Sequence, residues 1–146
     1  MQKEERLKKE EVITFTIIFL IIFMEIVFQK FTKKAIQDST GDLESLKSEI
    51  IRVCSENEDF EIADENEKEN IINSMQNARD KWENSVRQLE YFISYDELDN
   101  VKSKMDLTMT ELEIDSYDDS VKDLEESIHS LEEIQEKYKF KIKTIL

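Results

Sequence analysis

A chain of 146 residues with one Gly and no Pro lacks the turn chemistry that an all-β fold or a Gly-rich phosphate loop needs. Charged residues make up 38% of it and the net charge is −15, which speaks against duplex nucleic acid and suits a solvated surface or a basic or cationic partner. One cysteine and one histidine, Cys54 and His129, leave no disulfide framework within the chain and no zinc-ligand spacing.

Residues 1–11 form a short charged tail that carries Lys3, Arg6, Lys8 and Lys9. Residues 12–24 are apolar apart from Thr14 and Thr16. Glu25 interrupts the run, and Ile26, Val27 and Phe28 resume it. As a helix, residues 12–28 span about 25 Å, and running on to Phe31 gives roughly 30 Å, the thickness of a bilayer's hydrocarbon core. Residues 12–31 are therefore expected to be a transmembrane anchor, with backbone groups satisfied inside the helix. A cleaved signal peptide wants small residues after its apolar core, but Gln29-Lys30-Phe31-Thr32-Lys33-Lys34 follow. A soluble core helix is disfavoured because the segment is apolar on all faces. Glu25 is costly in lipid unless it snorkels, takes a proton or meets a polar partner in another membrane protein. The basic residues of the tail barely outnumber Lys30, Lys33 and Lys34 on the other flank. The short tail and long acidic remainder favour a signal anchor with the following domain outside the cytoplasm.

Residues 32–146 read as an acidic, all-helical domain. Apolar residues recur at spacings of three and four in four stripes. The first holds Ile36, Leu43, Leu46, Ile50 and Val53, and the second holds Ile72, Met75, Trp82, Val86, Leu89 and Ile93. Leu98, Val101, Met105 and Leu112 make the third, and Val121, Leu124, Ile128 and Leu131 the fourth. Thr40-Gly41-Asp42 is a candidate kink or restart in the first stripe. Asp64-Glu65-Asn66-Glu67, Ser94-Tyr95-Asp96-Glu97 and Asp115-Ser116-Tyr117-Asp118-Asp119 carry helix-start chemistry, the second in capping-box form. The expected fold is all-α: a transmembrane helix followed by an antiparallel three- to four-helix bundle or stacked helical hairpins. A longer coiled coil with a second chain is the alternative.

Trp82, Leu89, Phe92 and Leu98 are the candidate core, and Cys54 is expected to be a small buried residue. His129, beside Ile128 on the last stripe, reads as a boundary residue. From Asp38 to Glu136 there are 30 acids against 9 bases, and then Lys137, Lys139, Lys141 and Lys143 alternate with Tyr138, Phe140 and Ile142. An even number of antiparallel helices returns this tail towards the membrane, where rings and lysines suit the interface. A packed helix end is the plainer reading. The clusters Glu56-Asn57-Glu58-Asp59 and Asp64-Glu65-Asn66-Glu67 lack the turn-forming Gly and the ligand pattern of a calcium loop. No motif surrounds His129 that would activate a nucleophile, and a thin bundle offers little cleft for paired carboxylates. No catalytic, metal or cofactor site is expected.

The stretch KWENSVRQLEYFISYDELD, residues 81–99, resembles the domain of unknown function 4363 family, small membrane-anchored proteins of Clostridia and related Firmicutes. Trp82, the Phe92-Ile93 pair, and Asp96, Glu97, Leu98 and Asp99 match its pattern of a Trp, an aromatic-Ile pair and an acid-rich turn. Tyr95 stands where the family commonly has His, so no proton-transfer role carries over. Thr144-Ile145-Leu146 is similar to the family's usual ending. The resemblance implies an accessory architecture, of a kind encoded beside multi-helix membrane proteins, and no settled activity.

The expected function is that of a non-enzymatic, membrane-anchored interaction or accessory module of the bacterial cell envelope. Glu25, Asp96, Glu97 and Asp99 are the candidate contacts to an integral membrane or envelope protein. An envelope sensor for a small ligand or cation, and a self-assembling homo-oligomeric coil, are the other readings.

Overall fold

The computed structural model describes residues 2–143, with side chains from Lys8 to Lys139; the Thr144-Ile145-Leu146 ending lies outside the described residues. Four helices follow in order: α1 (Gln2–Ser55), α2 (Glu65–Leu89), α3 (Tyr95–Glu113) and α4 (Tyr117–Lys143). Each packs against two neighbours, α1 on α2, α2 on α3, α3 on α4 and α4 back on α1, so the four close into a ring. The connections are short and neighbours run antiparallel, which is the up-down-up-down bundle. The all-helical expectation holds, with four helices in the bundle and no strand among the described residues.

The 54 residues of α1 make a rod about 80 Å long. Its two halves live in different surroundings. Residues 12–27 are exposed on every side, and α1 is the one helix among the described residues long and apolar enough to cross a membrane by length and composition. From Thr32 onward one face is buried, through Ile36, Leu43, Leu46, Ile50, Val53 and Cys54. From Ile36 to Val53 these positions advance by three, four and seven, and Cys54 lies four beyond Ile50, so one stripe of α1 faces the other helices. The sequence suggests a break at Thr40-Gly41-Asp42, but α1 runs through it unbroken. A Cβ built on Gly41 meets nothing within 4 Å, so no packing demands the glycine.

The bundle interior takes one stripe from each partner. On α2 it is Ile71, Met75, Ala78, Trp82 and Leu89. Ile71, not Ile72, holds the inner position: the adjacent pair left the register open by one residue, and Ile72 packs only at the edge. Leu98, Val101, Met105 and Leu112 come from α3, and Leu124, Ile128, Leu131 and Ile134 from α4. Trp82 is fully buried, and its indole N–H donates to the Leu98 carbonyl at 3.3 Å, which satisfies its single polar atom.

With the chain's single glycine inside α1, the turns use other residues. Asp64 caps α2 by accepting the Asn66 backbone N–H at 2.8 Å. At the end of α3, Asp115 takes a left-handed φ of 62°. The Ser116 N–H then reaches the Glu111 carbonyl at 2.8 Å and the Asp115 N–H reaches that of Leu112, the Schellman arrangement without its usual glycine. Asp115 is held in this conformation by Lys68 and by the Tyr117 hydroxyl, which donates to it at 2.6 Å.

Ion pairs line all four seams. Lys81 meets Asp42 between α1 and α2, and Arg79 meets Asp106 between α2 and α3. Lys104 meets Glu126 between α3 and α4, and Lys47 meets Glu125 between α4 and α1. Exposed pairs of this kind contribute about 0–1 kcal/mol each, so they favour one neighbour order more than they hold the bundle together.

Candidate site at the basal end of the bundle

The end of the bundle from which residues 12–27 project is its basal end. Two helices run towards it, α2 finishing at Leu89 and α4 carrying Tyr138 and Lys139, and the α2–α3 turn lies across it. α4 brings Tyr138 and Lys139 back beside Phe28 to Gln37 of α1. The side chains of Phe140, Lys141, Ile142 and Lys143 lie outside the described residues.

Phe92 corrects the sequence reading. It was expected at the bundle centre with Trp82, Leu89 and Leu98, which are all fully buried, but Phe92 is half exposed. The reason is local: α2 ends at Leu89, and residues 90–94 turn back with Ile93 pointing inward and Phe92 outward. Phe92 then stacks on Phe28 of α1, ring centroids 3.8 Å apart. Tyr91 and Tyr95, also exposed, flank it. The basal end therefore carries a cluster of rings next to the all-round apolar half of α1.

The start of α3 departs from a plain capping box. Ser94 is the N-cap, but its side chain makes no cap hydrogen bond. In the standard form the Glu97 carboxylate would accept the Ser94 backbone N–H. Here Tyr138 of α4 stands between them. The Ser94 N–H donates to the Tyr138 hydroxyl oxygen at 3.3 Å, and that hydroxyl donates to Glu97 Oε2 at 3.1 Å. Lys137 pairs with the same carboxylate, which holds the ammonium above the usual lysine range. Burial and the Glu97 bond together push the Tyr138 phenol up, so it stays a donor at neutral pH. Glu97 is thus occupied within the chain. Asp96 is exposed, and Asp99, half-buried like Glu97, accepts a long 3.5 Å bond from Tyr95 Oη.

Beside this relay, between α1 and α4, is a cleft of about 580 Å³. Phe28, Ile36 and Phe92 give it apolar walls, while Gln29, Thr32, Gln37, Gln135 and Tyr138 give polar ones. Lys33 of α1 and Lys139 of α4 also line it, and Glu25 is the lining residue of α1 nearest its projecting half. Glu25 is itself exposed. Two polar atoms in this wall, Gln29 Nε2 and Thr32 Oγ1, are shielded from solvent and have no hydrogen-bond partner. Thr32 is only 5% exposed. The contrast along the chain is sharp: Thr14, Thr16, Thr108 and Thr110 each donate to the carbonyl four residues back, and Thr32 does not.

The other singled-out groups lie elsewhere. Cys54 is buried at the far end of α1, its thiol pushed up to about 11 by burial and the nearby Asp118 charge, so it is not a thiolate at neutral pH. His129 is exposed on α4 and meets Glu133 at 3.3 Å. Glu56, Glu58 and Asp59 lie in the α1–α2 connection, and no three His, Cys, Asp or Glu side chains converge as a metal site among the described residues.

The cleft residues Phe28, Gln29 and Thr32 were missed by sequence reasoning. The signal was present: Thr32, Ala35, Ile36 and Ser39 are buried and carry the α1 stripe backwards at helical spacing. The uniform apolar run before them hid where the stripe begins. No family model, curated protein or solved structure matches the chain.

Proposed function

We propose that this chain is a single-pass membrane protein whose helical bundle sits directly on the bilayer and serves as a non-enzymatic accessory module for another envelope protein. The observation that carries the reading is the full exposure of residues 12–27. Phe15, Phe19 and Ile21 are 72%, 68% and 63% exposed, and no part of the bundle covers them. In water that surface would cost roughly 25 cal/mol per Å² of apolar area, whereas lipid removes the cost. The rings of Phe28, Tyr91, Phe92 and Tyr95, with Lys30, Lys33 and Lys34, are then at the level where aromatic and basic residues favour the headgroup zone.

The bundle is placed outside the cytoplasm, on the argument from the short basic tail and the long acidic domain. This architecture agrees with the resemblance to the domain of unknown function 4363 family and with its accessory character. The partner contacts favoured are Glu25, which an acceptor or donor in a neighbouring span would relieve, and the acids Asp96, exposed, and Asp99, which no lysine or arginine pairs among the described residues. Glu97 is a positioning residue in this reading, since Lys137 and Tyr138 already engage it.

The test is alkaline carbonate extraction of cell membranes, followed by protease treatment of spheroplasts and crosslinking in living cells. The chain should stay in the pellet, lose its bundle to external protease and yield one integral membrane partner. Recovery in the carbonate supernatant would reject the anchor. Protection from protease would reverse the orientation, and self-crosslinks alone would favour a homo-oligomeric coil.

A further inference from the structure

The part of the cleft nearest the projecting half of α1 carries an order of side chains that matches one class of molecule. Between Glu25 at that edge and Ile36 and Gln37 further in, the α1 lining runs Phe28, Gln29, Thr32, Lys33. At a rise of about 1.5 Å per residue these positions advance some 8 Å along the axis. A phospholipid in a leaflet beneath the bundle presents the same order: acyl carbon, ester oxygens, phosphate. We propose that the cleft seats the ester-and-phosphate region of one anionic phospholipid. The inference rests on the membrane-anchored reading above.

The side chains divide the work. Phe28 and Phe92, stacked on each other, line the acyl end and continue into the exposed apolar half of α1. Gln29 Nε2–H and the Thr32 hydroxyl are donors without acceptors. Leaving such a donor unmet costs about 1–3 kcal/mol. Ester and phosphate oxygens are pure acceptors and supply what both lack. Both atoms lie just beneath the cleft surface, so a turn of the Gln29 or Thr32 side chain brings its donor to a bound oxygen. Among the described residues Lys33 has no ion-pair partner, and Lys139 holds only an exposed 3.4 Å pair with Glu136. Both ammoniums can therefore turn to a phosphate at little cost. Glu25 bounds the opposite edge, about 12 Å along the axis from Lys33. Its carboxylate disfavours a phosphate at that depth and so fixes which way round the lipid enters. The volume, about 580 Å³, falls within the range of ligand sites.

A free inorganic anion would use the lysines but leave Phe28 and Phe92 without a role. A helix of a second protein would cover the rings but bring few acceptors to Gln29 and Thr32. The lipid accounts for both halves.

The test uses the full chain reconstituted in phosphatidylcholine vesicles with one-tenth photoactivatable phosphatidylglycerol, and native mass spectrometry of the chain extracted from them. The expected result is one retained phosphatidylglycerol per chain, with label on α1 and α4 residues of the cleft. The double variant Gln29→Leu with Thr32→Val should lower retention about tenfold, and Lys33→Gln with Lys139→Gln should remove the preference over phosphatidylcholine. Both lysines are exposed, so the second variant keeps the test valid if the first disturbs folding. Label spread evenly around residues 12–27, retention unchanged in both variants, or competition by millimolar inorganic phosphate would overturn the site. So would label replaced by crosslinks to a second chain. Carbonate extraction of the same samples separates the two readings. A chain in the pellet without retained lipid removes only this inference, whereas a chain in the supernatant removes the anchor as well.

Discussion

Glu111 on α3 faces Asp119 and Asp123 of α4, and its carboxyl is raised from 4.5 to about 7, first by burial and then by the Asp123 contact. As a carboxylate its Oε2 has no donor to meet, and only by taking a proton can it bond Asp123. The folded-state value stands above the unfolded one, so the folded chain holds the extra proton between pH 4.5 and about 7. The contribution from this group is fully present below that window and is lost as pH rises through it. Glu111→Gln should therefore raise the unfolding midpoint at pH 8 and leave it nearly unchanged at pH 5. Urea titrations at the two pH values check this; an equal shift at both would deny the carboxyl its role. At the same scale, Tyr138→Phe should cost about 1–2 kcal/mol, because it removes the bridge between the Ser94 N–H and Glu97 and leaves the start of α3 uncapped. Denaturant unfolding of Y138F would reveal the loss, and a variant as stable as the parent would mean that Glu97 swings back to cap Ser94 itself.

At the scale of the helices, α1 is where sequence and structure can be weighed best. The stripe Ile36, Leu43, Leu46, Ile50 and Val53 was readable because apolar residues there alternate with charges at helical spacing, and every one is buried. The register of α2 was ambiguous because Ile71 and Ile72 are adjacent, and only the neighbouring helices choose between them. Phe92 was misplaced for a similar reason. Its size argues for burial, but the end of α2 at Leu89 decides which of Phe92 and Ile93 turns inward, and that end carries no glycine or proline to mark it. The cleft was illegible because its two walls lie more than a hundred residues apart in the chain, Thr32 and Tyr138 meeting only when the ring closes. Gly41 looked like a break and is instead a weak link in a continuous helix with open space where a side chain would go. Gly41→Ala should stabilise the chain by about 0.5–1 kcal/mol, read as a higher melting point by circular dichroism. A lower melting point would mean that α1 bends there in solution.

Across the whole molecule, charge is the dominant tension. Between Asp38 and Glu136 the 30 acids far outnumber the 9 bases, and the seams can pair only a minority of them. The paired charges are a few ångströms apart, whereas the surplus acids repel over distances comparable to a Debye length of about 10 Å at 0.1 M salt. Salt should therefore weaken the repulsion more than the pairs. Raising sodium chloride from about 20 to about 300 mM should raise the melting temperature of the detergent-solubilised chain. A fall over that range would assign more of the stability to the seams than their exposure suggests.

The unbroken course of α1 has a mechanical consequence. A domain on a slack linker would wander, but here the exposed apolar half of α1 and the bundle share one continuous helix, with no proline to break it. Whatever grips residues 12–27 also steers the four helices above. Because each residue turns a helix by about 100° and lifts it by about 1.5 Å, the bearing of the bundle, and of Asp96 and Asp99 on it, relative to residues 12–27 follows from the number of α1 residues between them and the packing of α3. Turning residues 12–27 by a fraction of a turn would swing the bundle, and those acids with it, by the same angle.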